Sequence, residues 1–91
     1  MIGVLWRERA REDMRAMTQY IAEHDIAAAQ RLHDLLMATS ERIATNPYMY
    51  RQVRAPGTRE AVAHPNYILI YKVLAEHVEV VRVIHSRQQY P

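Results

Sequence analysis

Ninety-one residues leave room for one domain and one core, which excludes a multi-domain enzyme with a large enclosed cavity. With 49% hydrophobic and 24% charged residues and only two Gly, the composition is that of a folded globular chain, and the absence of Cys excludes a disulfide scaffold, a zinc ribbon and a thiol nucleophile together. The net charge of +2 is close to balanced, so charge alone does not name a partner.

Residues 2–6 form a short apolar run with β-branched and aromatic members, closed by Arg7-Glu8-Arg9, and are expected to be an opening strand. From Glu8 to Glu23 the apolar residues Ala10, Met14, Met17, Tyr20 and Ile21 recur at helical spacing, with Arg11, Glu12, Arg15 and Gln19 between them, so an amphipathic helix is expected. His24-Asp25 interrupts this pattern. Asp25 suits an N-cap, and a second helical face follows with Ala28, Leu32, Leu35, Thr39 and Ile43, ending near Asn46-Pro47 because the residue before a proline is pushed out of the helical region. A break of about two residues folds the two helices into a hairpin.

Pro47 to Gly57 has neither period and reads as a loop containing Tyr48, Met49, Tyr50, Arg51 and Arg54. Three strand-like runs follow, Thr58 to Ala63, Tyr67 to Leu74 and Val78 to His85, joined by connections short enough for hairpins. The expectation is a single α+β domain over residues 1–91 with the order β-α-α-β-β-β, a helical hairpin packed on one face of a small antiparallel sheet. Helices cover only one face of such a sheet. Placing Val78, Val80 and Ile84 on one side of the last strand, and Val81 and Val83 on the other, leaves a second apolar row for a partner to cover.

The twelve basic residues are eleven Arg and one Lys, Lys72. Arg is preferred where planar contact with phosphate or carboxylate matters, although a genome-wide bias toward Arg gives the same count. Arg7, Arg11 and Arg15 lie four apart, but Glu8 and Glu12 stand at salt-bridge spacing to Arg11 and Arg15, which favours a solvated, ion-paired face over a phosphate-tracking stripe. The five His have no ligand spacing, so neither metal nor other cofactor is expected. Tyr48 and Tyr50 suit either base stacking or closure over the end of the core. No apolar run approaches the roughly 20 residues that span a bilayer, and none at the start has signal-peptide form, so a cytoplasmic location without membrane contact is expected.

The runs Gly57-Thr58-Arg59-Glu60, His64-Pro65-Asn66-Tyr67-Ile68-Leu69-Ile70-Tyr71-Lys72-Val73 and Val78-Glu79-Val80-Val81-Arg82-Val83-Ile84-His85-Ser86-Arg87-Gln88-Gln89-Tyr90-Pro91 resemble the C-terminal sheet of ParE toxins, in the RelE/ParE superfamily of type II toxin–antitoxin modules. The first half agrees with its Trp-ending strand, the helix end Gln19-Tyr20-Ile21-Ala22-Glu23, and Asn46-Pro47. The resemblance implies a growth-inhibiting toxin of a plasmid-stabilising kind, neutralised in a hetero-oligomer by a cognate antitoxin, with operator DNA reached only through that antitoxin.

The superfamily has two branches. One poisons DNA gyrase without chemistry and is the branch expected here from the resemblance to ParE; Arg82, Arg87 and Tyr90 are its expected target-binding residues because Arg and aromatic side chains anchor interfaces, and Val78, Val80 and Ile84 are expected to face the antitoxin. The other cuts messenger RNA on the ribosome, which needs groups to move protons and cations to hold the phosphate. For it the chain offers Arg59, Arg82, His85 and Tyr90, although Arg82 and His85 have opposite strand parity unless a bulge intervenes. A family member that binds antitoxin but has lost toxicity is the third reading.

Overall fold

A computed structural model describes residues 2–52, 56–88 and 90. Arg54 of the expected loop, and Gln89 and Pro91 of the C-terminal motif, lie outside them. The elements follow the expected order: β1 (Gly3–Trp6), α1 (Glu8–Ala22), α2 (Ile26–Thr45), β2 (Arg59–His64), β3 (Tyr67–Val73) and β4 (His77–His85).

Local chemistry sets the boundaries. The Asp25 carboxylate accepts the Ala28 backbone N–H at 3.0 Å, capping α2 two residues after α1 has ended on its own carbonyls. Asn46 leaves the helical region ahead of Pro47 and stops α2. The buried face of α2 is set one residue on from the expected one for part of its length: Ala29, Leu32, Leu36, Thr39 and Ile43 are buried, whereas Ala28 and Leu35 are only half-buried. Ala10, Met14, Met17 and Ile21 of α1 meet the core as expected, but Tyr20 projects outward.

The sheet order is β1-β4-β3-β2. Strands β2, β3 and β4 form the expected antiparallel meander, while β1 joins β4 in parallel and makes the sheet mixed. The helical hairpin is the reason. Helix α1 leaves Trp6 and continues in the direction of β1, and α2 returns to the starting end, where the Ala44 carbonyl accepts the Ile2 N–H. Three strands then alternate up, down and up, so β4 finishes parallel to β1.

A bulge in β4 sorts the two faces. The register runs Ile70 to Arg82 and then Tyr71 to Val80, leaving Val81 without a partner. Val78 and Val80 before the bulge and Val83 after it therefore all face the helices, in one core with Leu69, Tyr71, Ala61, Leu32, Leu36 and Ile43. This corrects the expected row of Val78, Val80 and Ile84. The first two are fully buried beneath the helices, and Ile84 points to the opposite face with Ile68 and Ile70. There Ile70 and Ile84 are already buried within the chain, at 0% and 1% exposure.

Leu36 lies at the centre of the helix-to-sheet contact with no exposed surface. Leu36→Ala is expected to lower unfolding free energy by about 2–5 kcal/mol, and loss of the cap in Asp25→Ala by about 1 kcal/mol. Urea denaturation followed by circular dichroism measures both, and a Leu36→Ala effect no larger than that of the cap would contradict this core.

Candidate functional site

Strand β1 accompanies β4 only from His77 to Val80. Beyond that point α1 takes over the edge, and the Asp13 carboxylate occupies the place of a neighbouring strand: its Oδ2 accepts the Val83 backbone N–H at 2.9 Å and Arg82 Nε at 2.7 Å, while Oδ1 accepts Arg82 Nη2 at 3.3 Å. Arg9 adds a further donor at 3.3 Å. Asp13 and Arg82 are both largely shielded from water, which strengthens a bidentate pair relative to an exposed one.

Arg82 thus leans round the sheet edge, and the Tyr90 ring lies 6.0 Å from its guanidinium. The tail reaches that position by turning at once: the His85 N–H donates to Gln88 Oε1, and the Gln88 N–H donates back to the His85 carbonyl. Of the three expected target-binding residues, Arg82 and Tyr90 are brought together and Arg87 is exposed on the intervening turn.

His85 lies on the other face. The bulge falls at Val81, before Arg82, so the two residues keep opposite parity. The His85 ring meets Tyr67 edge-on at 5.6 Å, and Tyr67 meets His64 at 5.8 Å. Nδ1 of His85 accepts the Arg87 N–H, and Nδ1 of His64 accepts the Asn66 N–H, so each neutral imidazole carries its proton on Nε2. Open grooves of about 410 and 480 Å³ flank Tyr67, one walled by Met17, Tyr20 and His85 and the other by Ile21, Arg31 and His64.

Arg59 meets neither: β3 lies between it and Arg82, and the two are on opposite faces, since Tyr71 opposite Arg59 faces the helices and Ile70 opposite Arg82 faces away. It pairs opposite Tyr71 whereas His85 pairs opposite Tyr67, a separation of about 13 Å along β3 at the usual strand rise. Its Nη1 donates to the Tyr50 carbonyl at 2.6 Å and to that of Tyr48 at 3.5 Å. Below it the Tyr71 hydroxyl donates to the Pro47 carbonyl at 2.6 Å, and burial pushes this phenol up to about 12. Of the loop tyrosines, Tyr50 packs edge-on against Tyr71 and closes over the end of the core, and Tyr48 is exposed.

The set Arg59, Arg82, His85 and Tyr90 therefore does not converge, because only Arg82 and Tyr90 meet. The arginines of α1 form the expected ion-paired face, although Glu8 takes both Arg11 and Arg15, and Arg7 instead reaches Glu79 at 2.6 Å. That guanidinium, with a smaller contribution from His77, holds the Glu79 carboxyl below its ordinary 4.5. Among the described residues no group of three His, Asp or Glu is placed to hold a metal ion. Nor is any described helix long and apolar enough to cross a membrane.

Sequence reasoning missed Asp13, His64 and Tyr67. The signal for Asp13 was its place at positions 10, 13, 14 and 17, an acid within the buried stripe. Asp13→Ala, which leaves Arg82 and the Val83 N–H without their shared acceptor, is expected to destabilise the fold by roughly 2–3 kcal/mol and to speed Val83 amide exchange, whereas Glu12→Ala on the exposed face changes stability by less than about 0.5 kcal/mol. Equal effects in urea denaturation would contradict the edge role of Asp13.

Comparison with known proteins places this geometry. Residues 4–90 match the family described as the ParE toxin of the type II toxin–antitoxin system, parDE. Toxin RelE2 of Caulobacter vibrioides is 34% identical over 86 residues, covering 94% of this chain and 97% of that protein. Among solved structures, the chromosomal ParDE system of P. aeruginosa superposes with a TM-score of 0.81 at 15% identity, over 93% of this chain and 96% of that one. The E. coli DinJ–YafQ complex superposes at 0.53 with 21% identity, over 93% of each chain. A match over nearly every residue, on a helical hairpin laid across a four-stranded sheet, makes this chain a member of the ParE toxin family within the RelE/ParE superfamily of type II toxin–antitoxin toxins.

Proposed function

We propose that the chain inhibits bacterial growth by binding DNA gyrase through its C-terminal arm, with Arg82, Arg87 and Tyr90 as the contact residues and no bond-making of its own. One observation carries this reading: Arg82 and Tyr90 meet on one side of β4 while His85 is turned to the other. Cations and a titrating group on opposite faces cannot hold a phosphate and move its protons at one point. Arg and aromatic side chains at the edge of a fold are, in contrast, the usual anchors of a protein contact.

A cognate antitoxin completes the proposal, supported by the DinJ–YafQ complex on the same fold. Because Val78 and Val80 lie in the core, its contact surface falls to the two outer strands, where Leu5 of β1 and Val62 of β2 are exposed. Operator DNA is then reached through the antitoxin, and plasmid stabilisation is the corresponding role in the cell. The name of the Caulobacter relative favours a second reading, a ribosome-dependent messenger RNA endonuclease of the RelE type that uses Arg59, Arg82, His85 and Tyr90.

Supercoiling by purified gyrase, run beside cleavage of ribosome-bound messenger RNA, separates the two. Supercoiling is expected to be lost with the wild type and with His85→Gln alike, and to be restored by deleting residues 86–91 while antitoxin binding persists. Codon-specific cuts slowed about 10²–10⁴-fold by His85→Gln, with gyrase unaffected, would overturn the proposal in favour of the nuclease. Silence in both assays would overturn it in favour of a non-toxic antitoxin-binding protein.

A further inference from the structure

The positive charge of this chain is not evenly spread. Residues 42–59 contain four arginines and no acid, whereas the rest of the chain has eight basic against ten acidic residues. Elsewhere five of the seven arginines are neutralised: Arg7, Arg9, Arg11, Arg15 and Arg82 are ion-paired to Glu79, Glu8 or Asp13. In the basic segment Arg42 donates to the Thr39 hydroxyl and Arg59 to two backbone carbonyls, neutral acceptors that do not cancel a charge. Arg51 is exposed, and its carbonyl accepts the N–H of Glu60, the residue after Arg59. Arg54 lies outside the described residues and is left out of the site.

An aromatic ring is presented in the middle of this charge. Tyr48 is 67% exposed, and the Arg59 guanidinium lies 5.1 Å from its centroid, backing one side of the ring. The loop that carries it is pinned at both ends. Tyr71 holds the Pro47 carbonyl, the Met49 N–H donates to the Asn46 carbonyl, and the Glu60 N–H donates to that of Arg51. Tyr50 anchors the same loop edge-on against Tyr71. Next to Tyr48, Met49 overhangs an open groove of about 400 Å³ at the end of α2, walled also by Arg42, Thr45 and Asn46, with Glu41 its single acid.

An exposed ring on a pinned loop, backed by a cation and carried in a segment with further arginines, suits a polyanion that carries planar groups. We propose that Tyr48, Arg51, Arg59 and Arg42 form a binding surface for single-stranded nucleic acid, one base stacking on Tyr48 and neighbouring phosphates lying on Arg51 and Arg42. An acidic peptide satisfies the charge but leaves the ring without a planar partner. A duplex hides its base faces. This surface lies at the opposite end of β3 from Tyr67 and His85 and does not use the C-terminal arm, so the inference goes beyond the proposed toxic activity.

The test is fluorescence anisotropy of the full chain with labelled oligothymidine and oligouridine of about 12 nucleotides, within the site sizes typical of single-strand binders, across a salt series. No gyrase or ribosome is present, so its outcome is independent of the toxicity assays. Tyr48→Ala is expected to weaken binding about tenfold, with Tyr48→Phe near wild type. Arg51→Ala is expected to reduce the slope of log affinity against log salt by about 0.7. Tyr20→Ala, another exposed tyrosine, should leave both unchanged. Binding in either the DNA or the RNA arm supports the surface, and the difference between them reads its preference for the sugar. Equal affinity of wild type and Tyr48→Ala, equal binding of duplex, or displacement of the strand by an equimolar oligoglutamate peptide would overturn it. Thermal melting of each variant confirms that the fold is retained.

Discussion

Where β1 stops, four residues into its pairing with β4, the last half of β4 would present open N–H groups at the sheet edge. Asp13 resolves this. Its Oδ2 accepts the Val83 N–H as a strand would, and both carboxylate oxygens accept from the Arg82 guanidinium. One side chain on α1 thereby fixes the helix along the sheet, closes the edge and decides which way Arg82 leans. The position of the C-terminal arm follows, because Tyr90 rests beside the guanidinium that Asp13 has oriented.

The bulge at Val81 is the second half of the same arrangement. Without it, β4 would alternate strictly and place Val83 on the face away from the helices, where Asp13 and α1 could not enclose it. With it, three valines share the core and Arg82 and His85 remain on opposite sides. The two faces have consequently taken different characters. One carries a cation and a phenol on a short arm, and the other an imidazole–phenol–imidazole row beside the end of the helical hairpin.

Much of this fold was legible in the sequence because it is locally encoded. Asp25 as a cap, Asn46-Pro47 as a stop and the alternation of β3 each rest on chemistry within a few residues. What was not legible depends on distant neighbours. The parallel pairing of β1 is set by the path of two intervening helices, and the one-residue shift of the α2 face by how that helix meets the sheet. The bulge at Val81 leaves no composition signal, since Val-Val suits either register. It was this bulge that turned Val78, Val80 and Ile84 from one expected row into two buried groups on different faces. Of the expected site residues, Arg82 and Tyr90 lie together and His85 lies on the other face from Arg82, the separation that strand parity indicated. Asp13 was passed over because its partners lie about 70 positions along the chain.

The central claim is that the chain acts on its target by occupancy through the arm that Asp13 and Arg82 hold in place, and not by turnover. Titrating purified toxin into a fixed amount of gyrase and reading residual supercoiling tests this most directly. The account predicts inhibition that rises in proportion to toxin, saturates at a fixed molar ratio and does not deepen with time. Inhibition or RNA cleavage that progresses with time at toxin amounts far below those of the target would show turnover and contradict it.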